Sequence, residues 1–544
     1  MVVVWLAASN CHAQIADFAV THAHIYTVDP EHPAASAIAV KGGKILAVGD
    51  DISRHIGPQT KLVDAHGATI IPGLIDSHVH MRNLGDSLET LDLRGAASEA
   101  EIVEKVRRAV HEHKPGDWIR GRAWDQNLWP DKQFPTAKGL SLAAPNNPVY
   151  LTRVDGHAAW VNQKALDLAD INGSTPDPHG GKILRTSSGK PSGKLSGTPT
   201  GVLIDGAQAL AARKIPNPSP EDNERRIARA AKECVRLGLT TVHDAGVDSA
   251  DIAAYRALIA KHQLPVRVYA MLSRSAWTAS PTLAPEIGDW LTIRSIKLVA
   301  DGALGSRGAA LLQPYADDPG NSGLPILDEA AIRQVALDAV ARGFQVNTHA
   351  IGDRANRTVL NAYASVLKGL NDKRFRVEHA QIVAPEDFAR FREYSAIASM
   401  QSTHATSDMP WAESRLGAER VKGAYAWQTF LKLGVHVPNG SDFPVENPNP
   451  LWGVYSAVTR QDHEGKPPGG WFPDQRMTRE QALKSWTVEG AYAGFQEQTK
   501  GSLSPGKLAD FVMLSGDIMK IPAAGIWKTR VTMTVVNGGI VYSE

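Results

Sequence analysis

Two histidines separated by a single residue, His78 and His80, close the run Thr69-Ile70-Ile71-Pro72-Gly73-Leu74-Ile75-Asp76-Ser77-His78-Val79-His80. In a strand, residues i and i+2 share a face, so both imidazoles can converge on one metal ion. Two other His-x-His pairs read differently. His22 and His24 belong to a strand-like segment near the N-terminus, and His111 and His113 to the helical stretch Glu101 to His113. On a helix, i and i+2 diverge. Further donors follow other apolar strands: His349 after Phe344-Gln345-Val346-Asn347-Thr348, His379 after Phe375-Arg376-Val377-Glu378, and Asp442 after the stretch from Gly434 to Ser441. A lone histidine after an apolar strand is ordinarily a satisfied core residue. Four histidines and an aspartate, all at C-terminal strand ends, point to a metal site. Lys297 lies in Ile293-Arg294-Ser295-Ile296-Lys297-Leu298-Val299-Ala300-Asp301 and has two readings. Its ammonium can snorkel to water. Alternatively, burial near cations leaves a neutral amine that takes up carbon dioxide as a carbamate, whose two oxygens can bridge two metals.

The elements that must position these residues alternate strand and helix. Strands end near His80, Asp244, Met271, Lys297–Asp301, His349, His379, Gln401 and Asp442. Between them run capped helices: Ser219-Pro220-Glu221-Asp222 opens one through about Leu237, Asp328 caps one ending at Gly343, and Pro385-Glu386 opens a third. Eight such units predict an α/β fold, a (β/α)8 TIM-like barrel whose strand ends meet at one face. The barrel spans 69–495, of which 81–238 is a large insertion after barrel strand 1. Without it roughly 265 residues remain, close to the ~250 of a bare barrel. Loops at that end of a barrel build the active site, so the insertion is expected to shape the substrate pocket. Short alternating strands recur at both ends of the chain, and 14–68 plus 496–544 are expected to form one small β-sandwich.

Composition excludes several classes. With 544 residues, 43% hydrophobic and 21% charged, the chain can bury one or more large cores. Lys+Arg 58 against Asp+Glu 57 gives a net charge of +1, against the basic excess of a nucleic-acid binder. Two cysteines, Cys11 and Cys234, make neither a disulfide framework nor a thiolate zinc cluster. No apolar run reaches the roughly 20 residues of a membrane span. Val2 to Ala8 is apolar and precedes small residues, like the end of a secretory signal, yet no Lys or Arg precedes it. If 1–13 is a signal remnant the chain is periplasmic or secreted; otherwise it is cytoplasmic.

Asp76-Ser77-His78-Val79-His80, Lys297, His349, His379 and Asp442 together resemble the ligand series of the amidohydrolase superfamily. Three longer segments narrow the match: Lys297 to Arg307, His349-Ala350-Ile351-Gly352-Asp353-Arg354-Ala355, and Gly440-Ser441-Asp442-Phe443-Pro444. They resemble the long-chain YtcJ-like branch, which includes N-substituted formamide deformylase. The likeness covers essentially the whole chain. One departure is Gln401-Ser402-Thr403-His404, where the branch pattern has proline after the glutamine. The resemblance implies a binuclear centre of two divalent ions, with zinc as the implied metal. His78, His80 and Asp442 would hold the first, His349 and His379 the second, with carboxylated Lys297 bridging. Metal binding lowers the pKa of water from 15.7 toward ~7, so a metal-bound hydroxide would attack a polarised carbonyl. Asp442 would take its proton and deliver it to the leaving nitrogen.

The implied activity is hydrolysis of C–N bonds in small amides, including N-acyl and N-formyl compounds. An esterase, lactonase or carbamate hydrolase with the same centre is the first rival. A catalytically silent binding relative is the second, although all six ligand positions are filled. For substrate binding, Trp124, in Gly121-Arg122-Ala123-Trp124-Asp125-Gln126, either stacks on the substrate or packs the insertion's own core. His157, in Arg153-Val154-Asp155-Gly156-His157, either bonds the tetrahedral intermediate or is structural. Arg307 either binds a substrate carboxylate or bridges loops. His243-Asp244 is read as supporting the ligands and not as a ligand pair. The resemblance implies a small-molecule amide substrate and self-association; charge balance argues against nucleic acid.

Overall fold

The computed structural model describes residues 14–153, 156, 158–178, 181–186, 197–305 and 307–544, so the N-terminal segment 1–13 and His157 lie outside the described residues. Two compact units are present, Gly85–Arg226 and the remainder of the chain.

In the larger unit, seven parallel strands pair in chain order: β1 (Leu74–Val79), β2 (Leu239–Val247), β3 (Arg267–Ser273), β4 (Leu291–Val299), β5 (Gln345–Ala350), β6 (Arg376–His379) and β7 (Ile397–Ser399). The expected eighth strand is a hydrogen-bonded but irregular segment. Against β7, the Ala398 and Met400 amides donate to the carbonyls of His436 (3.1 Å) and Pro438 (3.0 Å). Against β1, Ser77 donates to Asn439 (3.0 Å) and Asp442 to His78 (2.8 Å). Pro438 offers no amide, and Asp442 sits at φ +57°, so a regular ladder cannot form although both neighbours are engaged.

The run Thr69 to His80 reads as one strand in sequence and is two in the structure. Thr69–Pro72 pairs with Phe511–Leu514 and His24–Tyr26, in a sheet that also holds Val531–Val536, Gly539–Ser543 and Ala34–Ala35. Gly73 marks the break: a Cβ there would lie 2.2 Å from the Thr240 hydroxyl. A second sheet orders Lys44–Gly49, Ala37–Lys41, Phe18–Thr21 and Lys61–Asp64. The two sheets share an apolar core in which Val20, Ile38, Ile70 and Val535 are fully buried and Phe18 stacks on Phe511 at 6.2 Å. Residues from both chain ends thus meet in one core. The ion pair Arg267–Asp510, 2.7 Å and buried, ties β3 to the residue preceding Phe511.

The helices follow their capping signals. Pro220–Arg236 begins with reciprocal bonds between Ser219 and Asp222. Glu329–Arg342 is capped by the Asp328 side chain and ends at Gly343, φ +78°. The helix expected over Glu101 to His113 runs from Glu99 to Val110, opened by Ser98.

The smaller unit has its own six-stranded sheet, ordered Gly181–Arg185, Pro199–Asp205, Ala158–Val161, Val149–Arg153, Ile119–Trp124 and Leu91–Asp92. Among the described residues, no helix is long and apolar enough to cross a membrane.

Candidate metal centre

All six expected ligands lie in the larger unit, at or just beyond the C-terminal ends of barrel strands. His78 and His80 come from β1, Lys297 from β4, His349 from β5 and His379 from β6, while Asp442 ends the irregular eighth segment. The rings pack closely: His78 to His379 is 4.9 Å between centroids, His349 to His379 is 4.6 Å, and His78 to His80 is 5.6 Å. His78 Nε2 lies 3.0 Å from Lys297 Nζ and 3.8 Å from Asp442 Oδ1. His80 Nε2 is 3.1 Å from the same oxygen. Positive φ angles at His379 (72°) and Asp442 (57°) turn the backbone at two of the expected ligands, the sort of strain that clusters at functional sites.

Each of three histidines has its other nitrogen held. His78 Nδ1 meets Glu378 Oε2 at 2.5 Å, His80 Nδ1 the Ala245 carbonyl at 2.9 Å, and His379 Nδ1 the Gln401 side-chain oxygen at 2.7 Å. An acceptor on Nδ1 requires a proton there, which leaves the Nε2 lone pair free to face the centre. Two buried donor atoms at the centre, His349 Nε2 and Asp442 Oδ1, have no hydrogen-bond partner. Unpaired buried polar atoms are costly, and a cation would satisfy both. The donor set of imidazole nitrogens and carboxylate oxygens is the kind that zinc and related divalent ions take.

Electrostatics favours the ligating forms. Burial, reinforced by Lys297, pushes His78 down to about 4 and His349 to about 3, so both are neutral at pH 7. Burial also holds His379 well below the usual range. It lowers Lys297 too, although Glu378 and Asp442 oppose the shift. Burial would raise Glu378, but Arg376 and His78 outweigh it and bring the carboxyl to about 2.

Several neighbours carry little or no signal in the sequence alone. His404, on the short helix Ser402–Asp408, places Nε2 3.3 Å from Asp442 Oδ2 and Nδ1 3.1 Å from Glu446. Burial lowers its pKa, but bonds to these two carboxylates win and lift it to about 10. It joins His379 and Asp442 in one potential ligand group, beside that of His78, His80 and Asp442. Asp301 lies 3.5 Å from His349 Nε2, with its oxygens taken by the amides of Ile351, Gly352 and Ala310 at 2.8–3.0 Å. The departure from the branch pattern after Gln401 was the one available pointer to His404; Glu378 and Asp301 stood beside flagged residues without a role.

Trp124 is fully buried in the smaller unit, its indole N–H donating to Leu151 at 2.8 Å and its ring packed by Trp129, Trp160 and Phe134. Its surroundings match the packing reading. Arg307 pairs with Asp317 at 2.9 Å, and Asp317 also engages Arg415, which matches loop bridging. His243 bonds Arg376 at 3.0 Å, and Asp244 accepts from Met81 N and the Tyr255 hydroxyl; both support neighbours of the ligands.

The model of the amidohydrolase family matches residues 61–542. The chain is 32% identical to the putative amidohydrolase YtcJ of Bacillus subtilis, over 96% of this chain and 98% of that protein. It is 27% identical to the N-substituted formamide deformylase of Arthrobacter pascens, over 98% and 99%. The crystal structure of an uncharacterized metal-dependent hydrolase from Pyrococcus horikoshii superposes with a TM-score of 0.76 and 28% identity, covering 93% of this chain and 99% of that one. A barrel carrying converging histidines at its strand ends, matched over nearly its full length, is thus a member of the amidohydrolase family, on its YtcJ-like branch.

Proposed function

We propose that the chain hydrolyses C–N bonds of small amides, N-acyl and N-formyl compounds among them, at a binuclear divalent centre. One observation carries the reading: six donor residues from four strands and one closing segment converge, and two of their buried donor atoms lack a hydrogen-bond partner. His78, His80 and Asp442 would hold one ion and His349 and His379 the other, with Lys297 as a carbamate between them. When bound, such ions supply an acidified water and a Lewis acid for the substrate carbonyl. The chain's own residues do the rest. Asp442 takes a proton from the attacking water and returns it to the departing nitrogen. His404, itself held by Glu446, holds its outer oxygen, so the inner oxygen stays turned toward His78 and His80. The formamide deformylase relative, by its name, acts on an N-formyl C–N bond, which supports the substrate class.

The decisive experiment is metal content by plasma mass spectrometry on protein purified without chelators or affinity-column metal, followed by matched amide and ester substrates. About two divalent ions per chain are expected from a bridged centre, and faster cleavage of the amides from the proposed substrate class. No metal, and no activity gained on adding zinc, manganese or cobalt, would overturn the reading. Faster ester cleavage would overturn the substrate class and keep the centre.

Lys297→Ala tests the bridge. It should abolish turnover and drop the second ion, and small carboxylic acids should restore part of both by occupying the carbamate's place. A fully active variant would rule the carbamate out.

A further inference from the structure

Beneath the ligands, the barrel interior holds a feature that packing does not explain. Barrel interiors are filled by layers of branched aliphatic side chains. Here Arg376 and Glu378, two residues apart on β6 and therefore on the same face, are both fully buried. Their ion pair is 2.7 Å long. Arg376 also bonds His243 Nδ1 on β2 at 3.0 Å, the Ser77 carbonyl on β1 and the Ser399 hydroxyl on β7 at 3.1 Å. One guanidinium thus braces four strands. Burying an ion pair in place of apolar side chains is commonly neutral or unfavourable for stability, so stability alone does not account for it.

The other oxygen of Glu378 identifies its use. It lies 2.5 Å from His78 Nδ1, and both side chains have no exposure at all. A carboxylate paired with arginine only accepts, so Nδ1 must carry the proton and Nε2 must present its lone pair to the centre. His80 and His379 are oriented by neutral acceptors, a backbone carbonyl and a glutamine. Among these three histidines, only His78 leans on a carboxylate.

We infer that Glu378, locked by Arg376, is a positioning residue that fixes the tautomer of His78 and makes the ion held by His78, His80 and Asp442 the tighter of the two. This rests on the metal-centre reading above. Glutamine at 378 cannot reproduce the arrangement. If its carbonyl faces His78, its amide hydrogens oppose the Arg376 donors. If its amide faces His78, Nδ1 becomes the acceptor and Nε2 carries the proton, which removes the ligand's lone pair.

The test measures zinc affinity of the full chain by competition with a chelator, together with the visible absorption of the cobalt-substituted protein, for wild type, Glu378→Gln and the double variant Arg376→Met/Glu378→Leu, which leaves no acceptor for His78 Nδ1. The double variant removes both buried charges, so it keeps the question answerable if the single variant folds poorly. The expected result is two unequal zinc affinities in the wild type. The tighter should weaken about 10–100-fold in both variants, with a changed cobalt spectrum. Unchanged affinity in Glu378→Gln, or a loss that vanishes in the double variant along with recovered thermal stability, would show a merely structural pair and overturn the inference. Equal affinities in the wild type would overturn it as well. A wild-type protein that holds no metal would overturn the centre itself, which is a separable failure.

Discussion

Asp442→Asn is expected to lower kcat by about 10²–10⁴-fold while KM moves little, because it removes a proton carrier that acts in the transition state. Asparagine keeps the shape and one oxygen, so part of the metal should remain bound. The carboxylate it replaces is placed for the task. Its inner oxygen lies 3.1 Å from His80 Nε2 with no hydrogen bond, and its outer oxygen lies 3.3 Å from His404 Nε2. Although burial opposes it, the bond from His404 and the neighbouring His80 hold its pKa well below the usual carboxylate range, so it is ionised and able to accept a proton at neutral pH. The loss should depend on the leaving group. An anilide whose amine departs easily should suffer less than an alkylamide, since proton delivery matters less there. Steady-state kinetics on such a pair is the check; equal losses on both would mean that Asp442 serves only as a ligand.

His349→Ala is expected to remove at least one ion per chain and more than about a hundredfold of the activity, since even losing a ligand's hydrogen-bonding partner costs 10–100-fold. The side chain ends β5, and its Nε2 is buried without a partner, 3.5 Å from a carboxylate that backbone amides already occupy. Nothing in the barrel core uses that nitrogen, so the variant should fold. Plasma mass spectrometry and thermal melting of the metal-free protein separate the outcomes. Full metal content with lost activity would make His349 a substrate contact, and survival of both would remove it from the centre.

The convergence of the expected ligands was legible in the sequence for a definite reason. Strand periodicity is local, so an apolar run that ends in His78-Val79-His80 already says that two imidazoles share a face, and the runs before His349 and His379 say that each follows a strand. Helix starts at Pro220 and Glu329 were legible because capping is decided within four residues. That Asp442 lies near these histidines was also legible, because barrel closure brings strand ends together whatever their spacing.

What only the tertiary structure decided depends on contacts between distant residues. The break falls at a glycine because Thr240, on a neighbouring strand, leaves no room for a side chain at Gly73. The eighth strand is irregular because Pro438 and the turned backbone at Asp442 interrupt a ladder that β1 and β7 would otherwise complete. Trp124 could stack or pack on sequence grounds, and its neighbours Trp129 and Trp160 decide for packing. Glu378 looks like an ordinary strand residue until β1 lays His78 against it across 300 positions of chain, and His404 until its helix turns it onto Asp442. Local periodicity specifies which residues face the centre, whereas the register between strands specifies which side chains hold them there.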